Sequence, residues 1–399
     1  MSKSRSRTGM LIAVACAFAL ALTGCSGSSG SDDDGPIKIA SIAPMTGPSA
    51  VYGETVVATF QHVVDKVNKD GGVEVTGKKR KLKLSVYNDE GKAQGAVAVS
   101  HEALDDGNSI ILGPFNSGST SAVQPSMGKS DAAWLLYSAT VEGATANPNV
   151  FQTAGDQDAA NKGLVDYLDA HPDLKRIAVI TDQTHTALMG SHDELIKQIK
   201  GAGREIVADQ AEKLGDTDFN SQVSEVISAK ADLYILRANP TEAALITKQM
   251  RQLGGTMEIM WVATLTNAQQ LKIMGGEDYM TNVTRSSPAY SLDTFVADGN
   301  PTAVALNKAL GDKAGGYSAF AYDAMMTVIA ALEKSDGVDK ESLSKALAGL
   351  KADELDKTTL NQFTPQAKGL VFKDRRVSVP AITAVWQMGT GWVVVKDTK

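Results

Sequence analysis

Gly113-Pro114-Phe115-Asn116-Ser117-Gly118-Ser119-Thr120 follows the apolar run Ile110-Ile111-Leu112 and leads into Thr120 to Met127, which reads as a helix. A buried strand that ends in Gly-Pro, turns through Asn-Ser-Gly-Ser-Thr and enters a helix aims unpaired backbone N–H groups at one point. Such a helix N-terminus attracts carboxylates and other anions. In an open α/β sheet that point lies beyond the carboxyl ends of the strands, where ligands bind. Taken alone the stretch has two readings, because Ser117, Ser119 and Thr120 also suit plain helix capping.

The flanking sequence supplies the context. Ile37 to Ile42 reads as a first strand, and Pro44, Gly47, Pro48 and Gly53 punctuate the loop after it. A helix over about Tyr52 to Asn68 carries Val56, Phe60, Val63, Val64 and Val67 on one face and stops at Gly71-Gly72. A strand over Leu82 to Asn88, a helix from Ala93 to Leu104, the strand into Gly113 and a strand through Trp134 to Tyr137 continue the alternation. The pattern then restarts. Ile177-Ala178-Val179-Ile180, Leu233-Tyr234-Ile235-Leu236 and Ile259-Met260-Trp261-Val262 are strand signatures separated by helical segments at Glu194–Lys200, Phe219–Ile227 and Thr241–Leu253. A further strand follows Asn282, then helices at Ala319–Glu333 and Leu343–Leu350, and Ala381 to Val395 reads as a hairpin turning at Gly389-Thr390-Gly391. Alternation of this kind means βαβ units, so the fold class is α/β with two Rossmann-like halves and mainly parallel sheets.

The N-terminus sets the compartment. Lys3, Arg5 and Arg7 precede an apolar stretch from Met10 to Leu22, of signal-peptide rather than membrane-spanning length. It ends in Leu22-Thr23-Gly24-Cys25, which resembles the bacterial lipobox, and that resemblance implies cleavage before Cys25 and lipidation of its thiol. Residues 1–24 are thus expected to be a lipoprotein signal peptide, and 25–35, made of Cys, Ser, Gly and Asp, a flexible tether. The protein is expected on the extracytoplasmic face of the cell membrane, held by lipid. Since Cys16 leaves with the signal peptide, no cysteine remains for a disulfide, a thiolate metal site or a nucleophile. The 39 basic residues less Lys3, Arg5 and Arg7 leave 36 against 46 acidic ones. An acidic body argues against a nucleic-acid partner. The basic run Lys78-Lys79-Arg80-Lys81 reads as the solvated turn of a hairpin after Gly77.

Catalytic and metal motifs are missing. His185 and His192 lack a His-Glu-x-x-His frame, and the chain has neither a Gly-x-Ser-x-Gly elbow nor a phosphate-binding Gly-x-x-x-x-Gly-Lys loop. No cofactor or metal is expected. Met325 and Met326 on the late helix fit a core face. What remains is a pair of hydroxyl-rich strand-end loops, Ser117 with its neighbours and Ser138-Ala139-Thr140, able to offer N–H, C=O and hydroxyl groups together. A zwitterion needs both kinds of partner.

These residues belong to a larger set. Ala43-Pro44-Met45-Thr46-Gly47-Pro48 with Tyr52-Gly53, Val67-Asn68-Lys69-Asp70-Gly71-Gly72, Leu112-Gly113-Pro114 with Ser117, Ser138-Ala139-Thr140, Val150-Phe151-Gln152-Thr153 and Tyr322-Asp323-Ala324 occur in this order. Over residues 36 to 399 the chain resembles the periplasmic solute-binding proteins of the leucine/isoleucine/valine-binding type, which feed ABC importers. The resemblance implies a type I binding-protein fold: two lobes joined by a three-stranded hinge and closing on ligand. It implies lobe 1 over 36–153 plus 285–372, and lobe 2 over 154–284 plus 373–399. It further implies a small-molecule solute, an ABC permease as partner, a monomer and no enzymatic activity.

By position, the resemblance has Ser117 and Thr140 donate to the solute's carboxylate, the Ser138 carbonyl accept from its ammonium, and Tyr52 wall its side chain. Asn116, Ala139 and Tyr317 complete the expected shell. The second lobe departs from the pattern: Ala187, Pro240 and Ala263 stand where the amino-acid binders place tyrosines and an acid, with Arg237 and Asn239 nearby. The solute is then a small carboxylate, either an amino acid (branched-chain included) or an analogue. An amide, urea or aromatic acid is the alternative. A sensing module that reports to a membrane partner, and an esterase lacking any visible nucleophile, are the competing classes.

Overall fold

In the computed structural model the residues described are 35–155, 157–262, 267–287, 291–361, 363–379 and 382–395. The chain begins with β1 (Ile37–Ala43), α1 (Ala50–Lys69), a hairpin of β2 (Val73–Val75) and β3 (Lys78–Arg80), β4 (Leu82–Asn88) and α2 (Ala93–Asp105). Next come β5 (Ile110–Leu112), α3 (Ser117–Met127), β6 (Ala133–Leu136) and β7 (Val150–Gln152). Strands β4-β1-β5-β6-β7 form one sheet, parallel throughout. Its strands β5 and β6 read as continuous apolar runs because helices cover both faces. Ile37, Ile39, Leu112 and Leu135 pack on one side with Phe60 and Val63 of α1. Ile42, Ile111 and Trp134 pack on the other with Ala103 of α2 and Val123 of α3.

The second sheet is built from α4 (Gln157–Ala170), β8 (Arg176–Asp182), α5 (Thr186–Gly190), α6 (His192–Gly201), β9 (Glu205–Glu212), α7 (Asn220–Ser228), β10 (Leu233–Arg237), α8 (Pro240–Gln252), β11 (Glu258–Trp261), α9 (Asn267–Met274) and β12 (Val283–Ser287). The chain then runs through α10 (Leu292–Ala297), α11 (Pro301–Leu310), α12 (Ser318–Lys334), α13 (Lys340–Ala348) and α14 (Ala352–Leu355) to β13 (Ile382–Gln387) and β14 (Gly391–Val394). The strand order is β14-β13-β12-β11-β10-β8-β9, with antiparallel pairing only at β12–β13 and β13–β14.

Helices after β12 return to the first sheet: Met325, Val328 and Leu332 of α12 share the core of Phe60 and Leu135. Asp323 secures this return, its buried carboxylate accepting from the N–H groups of Leu360 (2.6 Å) and Asn361 (2.9 Å) and from Asn361 Nδ2 (2.8 Å). Burial lifts its carboxyl to about 7 even so. The chain thus passes between the sheets three times, after β7, after β12 and before β13. The last two passages fall later in sequence than expected. Arg285 to Ser287 stay in the second sheet because they pair with β13, and Val377 and Val379 are still packed in the first core. Arg376 lies beside the β7 edge, where Gln152 N–H bonds Arg375 O (2.8 Å) and Val377 N–H bonds Gln152 O (3.1 Å).

One local expectation fails. Lys78 to Arg80 is a strand rather than a turn, paired with Val73 to Val75 around Thr76-Gly77. Its charges are used internally: Arg80 donates twice to Gly35 O (3.0 and 2.7 Å), and Lys81 donates to Asn68 O.

Candidate functional site: the cleft between the sheets

The carboxyl ends of the parallel strands of the two sheets face each other across a cavity of about 460 Å³. Its walls are loops that follow strands, as the topology of open α/β sheets requires of a ligand site.

In the first lobe the wall is the β5–α3 turn. Gly113 has φ +100°, and a Cβ there would lie 2.5 Å from Ile42 O, so the chain turns against β1 only as glycine. The helix starts at Ser117, three residues earlier than the sequence suggests, with extended Asn116 as its N-cap. The first helical bond runs from Thr120 N–H to Asn116 O (2.9 Å). The N–H groups of Ser117, Gly118 and Ser119 therefore precede the helical ladder, and these three residues line the cavity. Ser117 is only 4% exposed, yet its Oγ has no hydrogen-bond partner. Behind them sits Asp89, fully buried, accepting Gly91 N–H at 2.9 Å. Burial raises its pKa; that N–H and the nearby Ser119 hydroxyl hold it back. Phe115, Tyr317 and Phe320 form an aromatic side, with Phe115 and Tyr317 edge-on at 5.0 Å.

The second lobe contributes the ends of β8 and β10. Asp182 closes β8 and is 1% exposed. One of its oxygens accepts from Thr184 N–H (2.7 Å) and Thr184 Oγ1 (2.6 Å), the other from Asn239 Nδ2 (2.6 Å). His185 caps α5, its Nδ1 taking Leu188 N–H at 3.4 Å. Burial lowers the His185 pKa, with Asp182 pulling it up and Arg237 pushing it down. Deeper still, Glu212 is 2% exposed with both carboxyl oxygens unpartnered. Burial, reinforced by Asp182, Glu242 and Asp216, pushes its pKa up to about 9. Among the described residues no group of three or more His, Cys, Asp or Glu is placed to hold a metal.

Of the residues singled out from sequence, Asn116, Ser117, Ser138, Asn239 and Tyr317 meet on the cavity wall, with Pro240 beside them. Ala139 is wholly buried, and the Thr140 hydroxyl, buried and without a hydrogen-bond partner, does not line the cavity. Arg237 does not reach the cavity. It is buried behind the wall, bonded to Ser191 Oγ (2.6 Å) and His192 Nδ1 (3.3 Å), while His192 Nε2 meets Asp209 (3.2 Å). Burial lowers its pKa to about 10, partly offset by Asp209. Nor is Tyr52 a wall residue. Its ring stacks on Phe115 (5.8 Å) and its hydroxyl crosses to the second lobe, meeting Thr241 Oγ1 (3.0 Å) and accepting Thr241 N–H (3.2 Å). Ala187 does not line the cavity, and Ala263 and Cys25 lie outside the described residues. Asp182, a cavity-wall acid that the sequence reading did not single out, could have been found from its position at the carboxyl end of a buried parallel strand.

The sequence model of the family described as periplasmic binding protein matches residues 36–372. The chain belongs to the periplasmic binding protein family. The Leu/Ile/Val-binding protein BraC3 of Rhizobium johnstonii is 28% identical over 314 residues, 78% of this chain and 83% of that protein. The branched-chain amino acid transporter substrate binding protein LivJ of Streptococcus pneumoniae, solved with isoleucine, superposes with a TM-score of 0.74 at 21% identity, covering 91% of this chain and all (100%) of the other. An ABC-transporter solute binding protein of Rhodopseudomonas palustris, solved with 3,4-dihydroxybenzoic acid, gives 0.73 at 18% identity over 91% and 96% of the two chains. The superpositions show the type I binding-protein fold that the motifs imply. No described helix is long and apolar enough to cross a membrane.

Proposed function

We propose that this protein captures a small carboxylate-bearing solute between its lobes and presents it to an ABC importer, from a lipid anchor at Cys25 on the extracytoplasmic face. The observation that carries this reading is the Ser117 hydroxyl, buried and unpartnered beside the free N–H groups of the α3 first turn, at a cavity between two lobes. A carboxylate supplies acceptors to all of these donors at once and faces the positive end of the helix dipole. The solute touches both lobes, so binding favours the closed arrangement, which is the form a permease can recognise.

Ser117→Pro tests the site with little structural cost. Proline is tolerated at the first helical position, and Asn116 is already extended (φ −83°, ψ 142°) as a residue before proline must be. The variant removes one N–H and the hydroxyl. In a thermal-shift screen of carboxylates on the purified protein, the solute that raises the wild-type midpoint should bind this variant at least about tenfold more weakly. Thr140→Ala, away from the wall, serves as the control. Equal affinity in a folded Ser117→Pro protein rules the site out.

A further inference from the structure

The bonds already made by the second-lobe wall fix which of its groups are left to face a solute. Asp182 is an acceptor and is met by three donors, Thr184 N–H, Thr184 Oγ1 and Asn239 Nδ2. Asn239 must therefore turn its NH₂ toward Asp182, and its amide oxygen is the group left for the cavity it lines. His185 is fixed in the same way. Its Nδ1 accepts Leu188 N–H, so the neutral ring carries its proton on Nε2, and His185 presents a donor to the same cavity. Burial keeps that ring neutral. The two residues follow adjacent parallel strands, since Thr181 of β8 is in register with Arg237 of β10.

One donor and one acceptor, each held by a neighbour, form the complement of a primary carboxamide. Its C=O accepts from His185 Nε2 and its NH₂ donates to Asn239 Oδ1. A branched alkyl group would leave both unpaired as the lobes exclude water, which costs affinity. A second carboxylate would oppose the Asn239 oxygen with Asp182 behind it. An ammonium would meet the His185 N–H, and most of the acceptor capacity of Asp182 that could have balanced it is already used, Oδ1 by two donors and Oδ2 by one. We propose that the second lobe selects a carboxamide, so that the solute is an acid–amide: a carboxylate on the α3 first turn and a terminal amide on His185 and Asn239. This rests on the carboxylate-site reading above.

The test is calorimetric titration of the intact protein with 4-carbamoylbutanoate, L-glutamine, glutarate and L-leucine. At least one of the two acid–amides should bind tenfold or more tightly than both glutarate and leucine. His185→Phe and Asn239→Leu, checked for folding by circular dichroism, should each collapse that preference to within about threefold. The wild-type series decides without the variants. Leucine or glutarate binding as tightly as the acid–amides, with binding still lost in Ser117→Pro, overturns the amide assignment and leaves the carboxylate site standing. Binding that survives Ser117→Pro overturns both.

Discussion

Tyr52 is the side chain whose single oxygen joins the two lobes. It stands on α1, in the first core, and its hydroxyl engages Thr241 at the start of α8, in the second lobe, through contacts of 3.0 and 3.2 Å. Burial holds the phenol far above its ordinary pKa, so it stays neutral and keeps its proton to donate. Tyr52→Phe removes that oxygen and retains the ring stacked on Phe115. A neutral hydrogen bond contributes about 0.5–1.5 kcal/mol net, so two amount to about 1–3 kcal/mol. Both exist only while the lobes are together, so the whole loss falls on the closed arrangement. A shift of that size moves the closed-to-open ratio roughly 5- to 150-fold. Small-angle scattering of the unliganded variant should give a larger radius of gyration than wild type, and the solute's apparent dissociation constant should rise in the same proportion. The melting midpoint should move little, because the aromatic packing persists. Identical scattering and affinity within twofold, in this variant and in Thr241→Ala, would refute the latch.

Two further outcomes follow from buried groups. Gly113→Ala puts a Cβ 2.5 Å from Ile42 O at φ +100°, and urea unfolding should show a loss of about 2–4 kcal/mol; a loss under about 1 kcal/mol would mean the turn relaxes freely. Glu212 has a folded pKa of about 9 against an ordinary 4.5, so the folded chain keeps a proton that the unfolded chain releases between those values. Its stabilising contribution is full below 4.5 and declines as pH rises toward 9, with a slope approaching about 1.4 kcal/mol per pH unit. Glu212→Gln stays neutral throughout, so its midpoint should gain on wild type as pH goes from about 5 to 9. Parallel melting curves over that range would count against the burial argument.

The inner strands of the two sheets were legible because they are buried on both faces and spell out continuous apolar runs, as in Ile177 to Ile180. Edge strand β9 was not: Glu205 to Glu212 pairs only with β8, and its exposed positions dilute the pattern. The start of α3 was misjudged because Ser117-Gly118-Ser119 has no apolar period and is defined only by where its backbone bonds begin. In the site, glycine-and-hydroxyl turns marked the first lobe, since their backbone chemistry is local. The second lobe was harder to read. Arg237 has the look of a ligand group, yet it faces away from the cleft toward Ser191 and His192. His185 acquires its role only from the Leu188 N–H it caps, and Asn239 from an Asp182 far away in sequence. Such hydrogen-bond polarity is a property of the assembled wall.

The order in which the cores draw on the chain has its own outcome. The first sheet is written out by Gln152, but the face it shares with α1 also needs α12 and the segment through Val379. The second sheet, begun at Arg176, lacks two strands until Val394. A ribosome working from one end to the other therefore delivers neither lobe whole until Val379 and Val394 have been added. Early closure would have to use non-native cover for the Ile39 and Leu135 face. Threading the chain end-first through a narrow channel, before any of it is compact, is compatible with this order, and folding after release is the route it favours.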